Sequence, residues 1–377
     1  MRLKTVEAAS IRKETRVLVR ADFDVKVVRG RVVDDFRIRA ALPTLHFLLQ
    51  KGARLRILAH RDRPHGTRVA HLSMWPVAER LSVLIKKKVR VIADPFSQRA
   101  FQDFDMSDDI LLFENIRFWP GEEKNSAPFA HALARWGDMY VNEAFATSHR
   151  SHASLLRLPT YLPAYAGQYL AREVEYLTRV RTKPRRPFVA ILGGAKLETK
   201  LPFVRLFLET SDAVLVGGKI GNLLCAPGAH TRQGKYCLSP LLWLPTDGIA
   251  ARTPRGHGRI AAADALRTGE TFLDIGPKTI RLFEEVIQGA GTVVWNGPMG
   301  YTERPAFAKG TKAIARAIAR VRGLTVIGGV DTVSALRQYR LLKGFSHVST
   351  GGGAMLEFLL RGTLPGIEAL KEKSKIK

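Results

Sequence analysis

Short runs of β-branched and other apolar residues recur through this chain with helix-patterned stretches between them, the alternation by which βα units build a parallel sheet. In the first half the expected strands are 16–21, 54–59, 89–92, 110–113 and 139–142, with helices at 40–50 and 76–86, the second carrying Pro76 in its first turn. The second half repeats the scheme at 188–192, 213–216, 292–295, 324–327 and 347–349. Its 377 residues exceed one ordinary core and fit two. Between the halves, 167–181 reads as one helix, followed by the polar, proline-marked stretch 182–187. The expected fold class is α/β: two Rossmann-like three-layer domains with parallel sheets, joined by a hinge helix across a cleft. Ligands of such sheets bind outside the carboxyl ends of the strands.

Bulk properties narrow the function. The formal charge of +26 must attract anions: nucleotides, acidic metabolites, nucleic acid or an anionic membrane. Lysines and arginines are spread along the whole length, the pattern of a solvated surface and not of a nucleic-acid arm, so nucleic acid stays a secondary possibility. Cys225 and Cys237 are the only cysteines, without metal-finger spacing, and read as ordinary thiols of a reducing compartment. No signal pattern opens the chain, and no apolar run approaches the about 20 residues that cross a bilayer. The expectation is a cytoplasmic protein with no membrane partner.

Glycine clusters follow several strands of the second half. Gly193-Gly194-Ala195-Lys196 follows 188–192 and leads into a helical segment containing Lys200, so that Lys196 and Lys200, four apart, are expected on one helix face. Gly217-Gly218, Gly328-Gly329-Val330-Asp331-Thr332 and Gly351-Gly352-Gly353 follow other strands. One glycine pair is an ordinary tight turn; four such clusters point past packing to backbone amides approaching phosphate. The triple glycine opens a helix at 354–360, where free N–H groups favour an anion. Asp331 is then either a Mg²⁺ ligand or a helix N-cap. Asn296 and Glu303 are positioned to touch phosphate and ribose or to serve turn chemistry.

Basic residues gather at the strand ends of the first half. Arg20-Ala21-Asp22-Phe23-Asp24 ends the first strand and Arg37 opens the next helix, while His60, Arg63, Arg117 and Arg150 each lie at or just past a strand end. The planar fork of arginine suits phosphate and carboxylate together, which makes a small phosphorylated acid the natural guest. His149 and His152 complete no tetrahedral metal set.

These residues lie in segments that resemble the phosphoglycerate kinase family over 16–370: DDFRIRAALPT, LLFENIRFWPGEEKN, YVNEAFATSHRSHAS, FVAILGGAKLETK, DIGPKTIRLFEEVI, TVVWNGPMG, AFAKGTKAIA, FSHVSTGGGAMLEFL and LPGIEAL. The resemblance implies reversible transfer of the acyl phosphate of 1,3-bisphosphoglycerate to Mg-ADP, giving 3-phosphoglycerate and ATP, by direct in-line transfer after domain closure in a monomer. It implies that residues 1–166 form the phosphoglycerate-binding domain, with the tail 363–377 packing back on it, that 167–187 form the hinge, and that 188–362 bind the nucleotide. Asp22, Asp24, Arg37, His60, Arg63, Arg117 and Arg150 would hold phosphoglycerate. Gly193, Gly194, Lys196, Lys200, Gly217, Asn296, Pro298, Glu303, Gly329, Asp331 and Thr332 would hold the nucleotide, with Asp331 on Mg²⁺, and Arg37, Lys196, Gly352 and Gly353 would neutralise the group in flight. Several positions depart from the family pattern. Asp24 replaces an asparagine, Arg61-Asp62 replaces Leu-Gly, Lys219 and Val330 replace third glycines, and Met355 replaces a small hydroxyl residue. Those changes motivate an alternative, a catalytically impaired member that binds anions or nucleic acid. A nicotinamide dehydrogenase is disfavoured because no GxGxxG opens a helix after the first strand.

Overall fold

The computed structural model describes residues 3–104, 107, 110–195, 200–225 and 239–371. The chain divides into two compact units, Met1–Glu175 with Arg361–Lys377, and Tyr176–Leu360. The boundary falls inside the helix Gln168–Thr182.

In the first unit the strands β1 (Arg16–Arg20), β2 (Arg54–Leu58), β3 (Val89–Ile92), β4 (Ile110–Phe113), β5 (Met139–Asn142) and β6 (Ala164–Ala166) form one parallel sheet in the order β3-β4-β2-β1-β5-β6. Apart from the edge strand β3, where Arg90 is exposed, their side chains are largely buried on both faces, as a sheet covered by helices requires. The helices Phe36–Gln50 and Trp75–Ile85 supply that cover through Ile38, Ala41, Leu45 and Leu48, and through Val77, Ala78, Leu81 and Ile85, at helical spacing. Register sets Arg20 beside both Leu58 and Asn142, so the residues that follow share one rim. The segment 361–371 is tied into this unit, with Gly366 N–H donating to Ser148 O at 2.8 Å and Asn142 Nδ2 donating to Gly366 O at 3.3 Å.

Glu143 follows β5 and is buried. Its carboxylate accepts hydrogen bonds from Thr44 Oγ1 at 2.9 Å, Tyr169 N at 3.0 Å and Leu170 N at 3.4 Å, tying down the first turn of Gln168–Thr182. Burial outweighs these bonds and pushes the carboxyl up to about 8.

In the second unit β7 (Phe188–Leu192), β8 (Ala213–Val216), β9 (Leu242–Trp243), β13 (Thr292–Asn296), β14 (Leu324–Gly328) and β15 (His347–Val348) form a parallel sheet in the order β9-β8-β7-β13-β14-β15. A separate antiparallel sheet, β11-β10-β12, comprises β10 (Asp247–Ala251), β11 (Arg259–Ala262) and β12 (Thr271–Ile275). Strand order reverses between β7 and β13, the kind of switch point where a crevice opens.

Every strand expected from the sequence is present within a residue or so. The antiparallel sheet, β6, β9 and a hairpin of Val27–Val28 with Arg31–Val32 were not expected. Two-residue strands carry no periodicity to read, and Gly248 sits inside β10 because the Phe272 ring fills the place of a side chain there. The helix after β1 begins at Phe36 and not at 40, and the last glycine helix begins at Gly352 and not at 354.

Candidate active site

In the first unit the rim gathers Asp22, Asp24, Arg37, His60, Arg63, Arg117 and Arg150. Arg37 lies in the first turn of Phe36–Gln50, where the helix dipole disfavours a cation. Asp22 and Asp24 offset that cost: Arg37 Nη1 donates to Asp24 O at 2.9 Å and lies 3.4 Å from Asp22 Oδ1 and 3.6 Å from Asp24 Oδ2. His60 Nε2 is 4.0 Å from Asp24 Oδ2. Arg117 is buried and donates from Nη1 to Asp62 O at 2.8 Å, with its Nε left without an acceptor. Arg63 and Arg150 are exposed at the edge.

Charge in this cluster is unbalanced toward the positive. Burial, followed by Arg117, Arg20 and Arg37, drives the His60 imidazole well below its ordinary value. Burial and then Arg150, with smaller effects of Arg117 and Arg63, hold His149 at about 4, and burial with Arg117, Arg20 and Arg150 holds His152 at about 3. The imidazoles are therefore neutral, and the charge that repels their protons attracts an anion.

The departures at 24, 61 and 62 occur together. Asp62 adopts φ 52°, the left-handed region that glycine enters freely and aspartate tolerates, and its N–H donates to Asp24 Oδ1 at 2.9 Å. Arg61 is buried, donating to His71 O at 3.1 Å and Ser73 O at 2.8 Å, where Asp24, Asp62 and Glu114 act on its charge.

In the second unit the residue after each of four adjacent strands is glycine: Gly217, Gly193, Gly297 and Gly329. Packing explains most of these, contrary to the sequence expectation. Gly193 N–H donates to Asn296 O and Gly194 N–H to Pro298 O, both at 3.0 Å, and a Cβ on Gly193 would stand 2.6 Å from Gly297 O. A Cβ on Gly217 would stand 2.7 Å from Met299 Sδ. Gly353 is different: a Cβ there meets nothing within 4 Å. It lies in the first turn of Gly352–Arg361, whose amides have no acceptor within the helix, so open space and free donors coincide.

Lys200 and Asn296 meet in a hydrogen bond between Nζ and Oδ1, and Asn296 Nδ2 donates to Gly352 O at 3.3 Å. Thr332 Oγ1 accepts from Gly297 N at 2.9 Å. Burial lowers the Lys200 ammonium to about 8, opposed by the charge of Asp331. Lys200 is the N-cap residue of Leu201–Thr210 and not within a helix, which lets Pro202 occupy a first-turn position. Lys196 lies outside the described residues. Asp331 is exposed in the first turn of Val330–Gln338, whose N-cap is Gly329 at φ 99°, so the N-cap role is not its own. Glu303 is exposed and its charge acts on Tyr339; among the described residues no hydrogen bond joins it to these loops. Lys219 and Val330 both point their side chains to solvent, and Met355 is buried, its sulfur filling the place of a side chain at Gly328.

Sequence reasoning named Arg20 at its strand end without giving it a role, and missed Glu122 and Ser154 beneath the basic rim. All three are fully buried, with Arg20 and Glu122 each hydrogen bonded to Ser154. The signal was present in β1, an apolar run that ends on a charge.

Among the described residues no group of three or more His, Cys, Asp and Glu could hold a metal ion, and no helix is long and apolar enough to cross a membrane. A single exposed carboxylate such as Asp331 fits a Mg²⁺ ion held mainly by phosphate oxygens.

Two doubly wound units, one with an arginine rim and one with amide-rich glycine turns, define a class of α/β proteins that handle anionic ligands. The phosphoglycerate kinase family model matches residues 7–239 and 235–362. A phosphoglycerate kinase of Moorella thermoacetica is 42% identical over 381 residues, covering 95% of this chain and 96% of the relative. One of Rubrobacter xylanophilus is 42% identical over 380 residues, covering 96% of each. The solved phosphoglycerate kinase of Coxiella burnetii superposes with a TM-score of 0.81 at 34% identity, over 98% of this chain and 99% of the other. That of Pyrococcus horikoshii gives 0.87 at 28% identity, over 98% of each. The chain belongs to the phosphoglycerate kinase family and is a phosphotransferase.

Proposed function

We propose that this chain moves a phosphoryl group between the carboxylate oxygen of 3-phosphoglycerate and the β-phosphate of ADP, reversibly. The observation that carries the reading is the basic rim of the first unit, where burial and then the neighbouring arginines keep three histidines neutral, and where the arginines outnumber the facing carboxylates Asp22, Asp24 and Glu123 and so call for further counter-charge. A phosphorylated acid supplies that counter-charge. Arg63, Arg117 and Arg150 suit its phosphate, and His60 and Arg37 its carboxyl end. On the nucleotide side, Lys200, Asn296, Thr332 and the free amides of Gly352 and Gly353 suit the phosphates of ADP or ATP, with Lys196 added by resemblance. Mg²⁺, held by those phosphates and Asp331, would neutralise charge there.

The acyl oxygen–phosphorus bond breaks as the ADP oxygen–phosphorus bond forms, so no proton carrier and no covalent enzyme intermediate is needed. What the residues supply is alignment and charge stabilisation. Domain closure about 167–187 would bring Arg37 and the Gly352 and Gly353 amides to bear on one group and exclude water.

Purified protein should phosphorylate 3-phosphoglycerate with ATP in an assay coupled to reduction of the acyl phosphate, and Arg37→Ala should abolish the rate. Well-folded protein without turnover at millimolar substrates would overturn the reading.

A further inference from the structure

Arg20 ends β1 with its guanidinium fully buried. Nε donates to Ser154 Oγ at 2.9 Å, Nη1 donates to Ala21 O at 2.5 Å, and Nη2 faces His60 Nδ1 at 3.3 Å. Glu122, equally buried, supplies the opposite charge through the same serine, accepting from Ser154 Oγ at 2.7 Å and Ser154 N at 2.9 Å. Ser154 O in turn accepts from Tyr140 Oη at 2.8 Å, which fixes the serine. The guanidinium therefore has little freedom to turn away from His60.

A guanidinium only donates; it has no lone pair to offer. The ring nitrogen that faces it must then carry no proton. We propose that Arg20, held by Ser154 and Glu122, is a positioning residue that fixes His60 as its Nε2–H tautomer, so that the imidazole presents a neutral N–H donor to the oxygens of the bound phosphorylated acid. The other tautomer sets N–H against N–H beneath the site and offers a lone pair to an anion above it, unfavourable at both ends. The groups facing His60 agree: Asp24 Oδ2 lies 4.0 Å from Nε2, and Arg37, Arg117 and His152 act on the ring by charge. The tautomer follows from the buried network alone; its use toward substrate rests on the function proposed above.

Two-bond ¹H–¹⁵N correlation spectra of the full chain labelled at histidine distinguish the tautomers, with His60 assigned by His60→Gln. Between pH 6 and 8 the expected pattern has a lone-pair-type Nδ1 and a protonated Nε2. An Nδ1–H or averaged pattern in the wild-type chain overturns the proposal, and that result needs no variant to fold. Arg20→Lys keeps a donor and should keep the pattern. The double variant Arg20→Met with Glu122→Gln leaves neither charge alone; it should mix the tautomers and raise KM for 3-phosphoglycerate about tenfold while kcat changes less than about threefold. An unchanged His60 spectrum and KM in that folded double variant also overturns the proposal. An inactive wild type with the expected spectrum removes the function proposed above and leaves the tautomer assignment standing.

Discussion

Glu143→Gln gives a direct thermodynamic test of how the first turn of Gln168–Thr182 is anchored. In the folded chain the carboxyl is pushed up to about 8, against an ordinary value of 4.5. Below 4.5 both folded and unfolded chains are protonated and the shift costs nothing. As pH rises the unfolded chain ionises first, the native state binds more protons, and stability falls until the folded carboxyl also ionises near 8. At 1.36 kcal/mol per pH unit, the penalty developed between pH 5 and pH 8 is about 3 kcal/mol. Glutamine cannot titrate, yet its carbonyl oxygen can still accept from Thr44 and Tyr169; only the 3.4 Å contact with Leu170 N is replaced by opposed donors. Urea unfolding of both proteins at pH 5 and pH 8 isolates the effect, since other titrating groups move both alike. The difference in stability between variant and wild type should shift by about 3 kcal/mol toward the variant at the higher pH. A difference that stays constant across that range would refute a protonated, buried Glu143.

Three further outcomes are expected. Because burial lowers Lys200 to about 8, kcat/KM for ADP should fall as pH rises through that value, and Lys200→Met should weaken ADP and erase that limb; pH profiles from initial rates check both. Gly193→Ala should unfold the chain at lower temperature, since its Cβ would stand 2.6 Å from Gly297 O, whereas Gly353→Ala, with nothing within 4 Å, should leave the melting temperature unchanged or higher and weaken ADP binding measured by calorimetry. Asp24→Asn removes a carboxylate 3.6 Å from Arg37 Nη1 while keeping an acceptor for Asp62 N–H; affinity for 3-phosphoglycerate should rise about fivefold by direct titration, an electrostatic gain of about 1 kcal/mol.

Most strands of the two parallel sheets were legible because they are apolar runs buried on both faces, as at Phe188–Leu192. The antiparallel sheet was not, since Asp247–Ala251 contains an acid and a glycine that make sense only against distant residues: Asp247 accepts from Lys278 N and Thr279 N at a helix start, and Gly248 yields to Phe272. For the glycine turns, position was legible and reason was not. Sequence alone cannot separate a glycine that borders open space, as at Gly353, from one that makes room for its own neighbours, as at Gly193. The basic rim was legible as a set of strand-end arginines, but the buried support from Arg20, Ser154 and Glu122 depends on segments far apart in the chain that only folding assembles.

The contact between the turns at Gly193 and Gly297 has a consequence for how such a chain can vary. Main chain meets main chain there, so neither partner has a side chain whose enlargement could be offset by trimming the other. Paired substitutions, the usual record of two positions in contact, are therefore unavailable to this pair. A comparison of variants would find two positions that never change and never covary. This join at the switch point would leave no correlated trace, only two silent glycines.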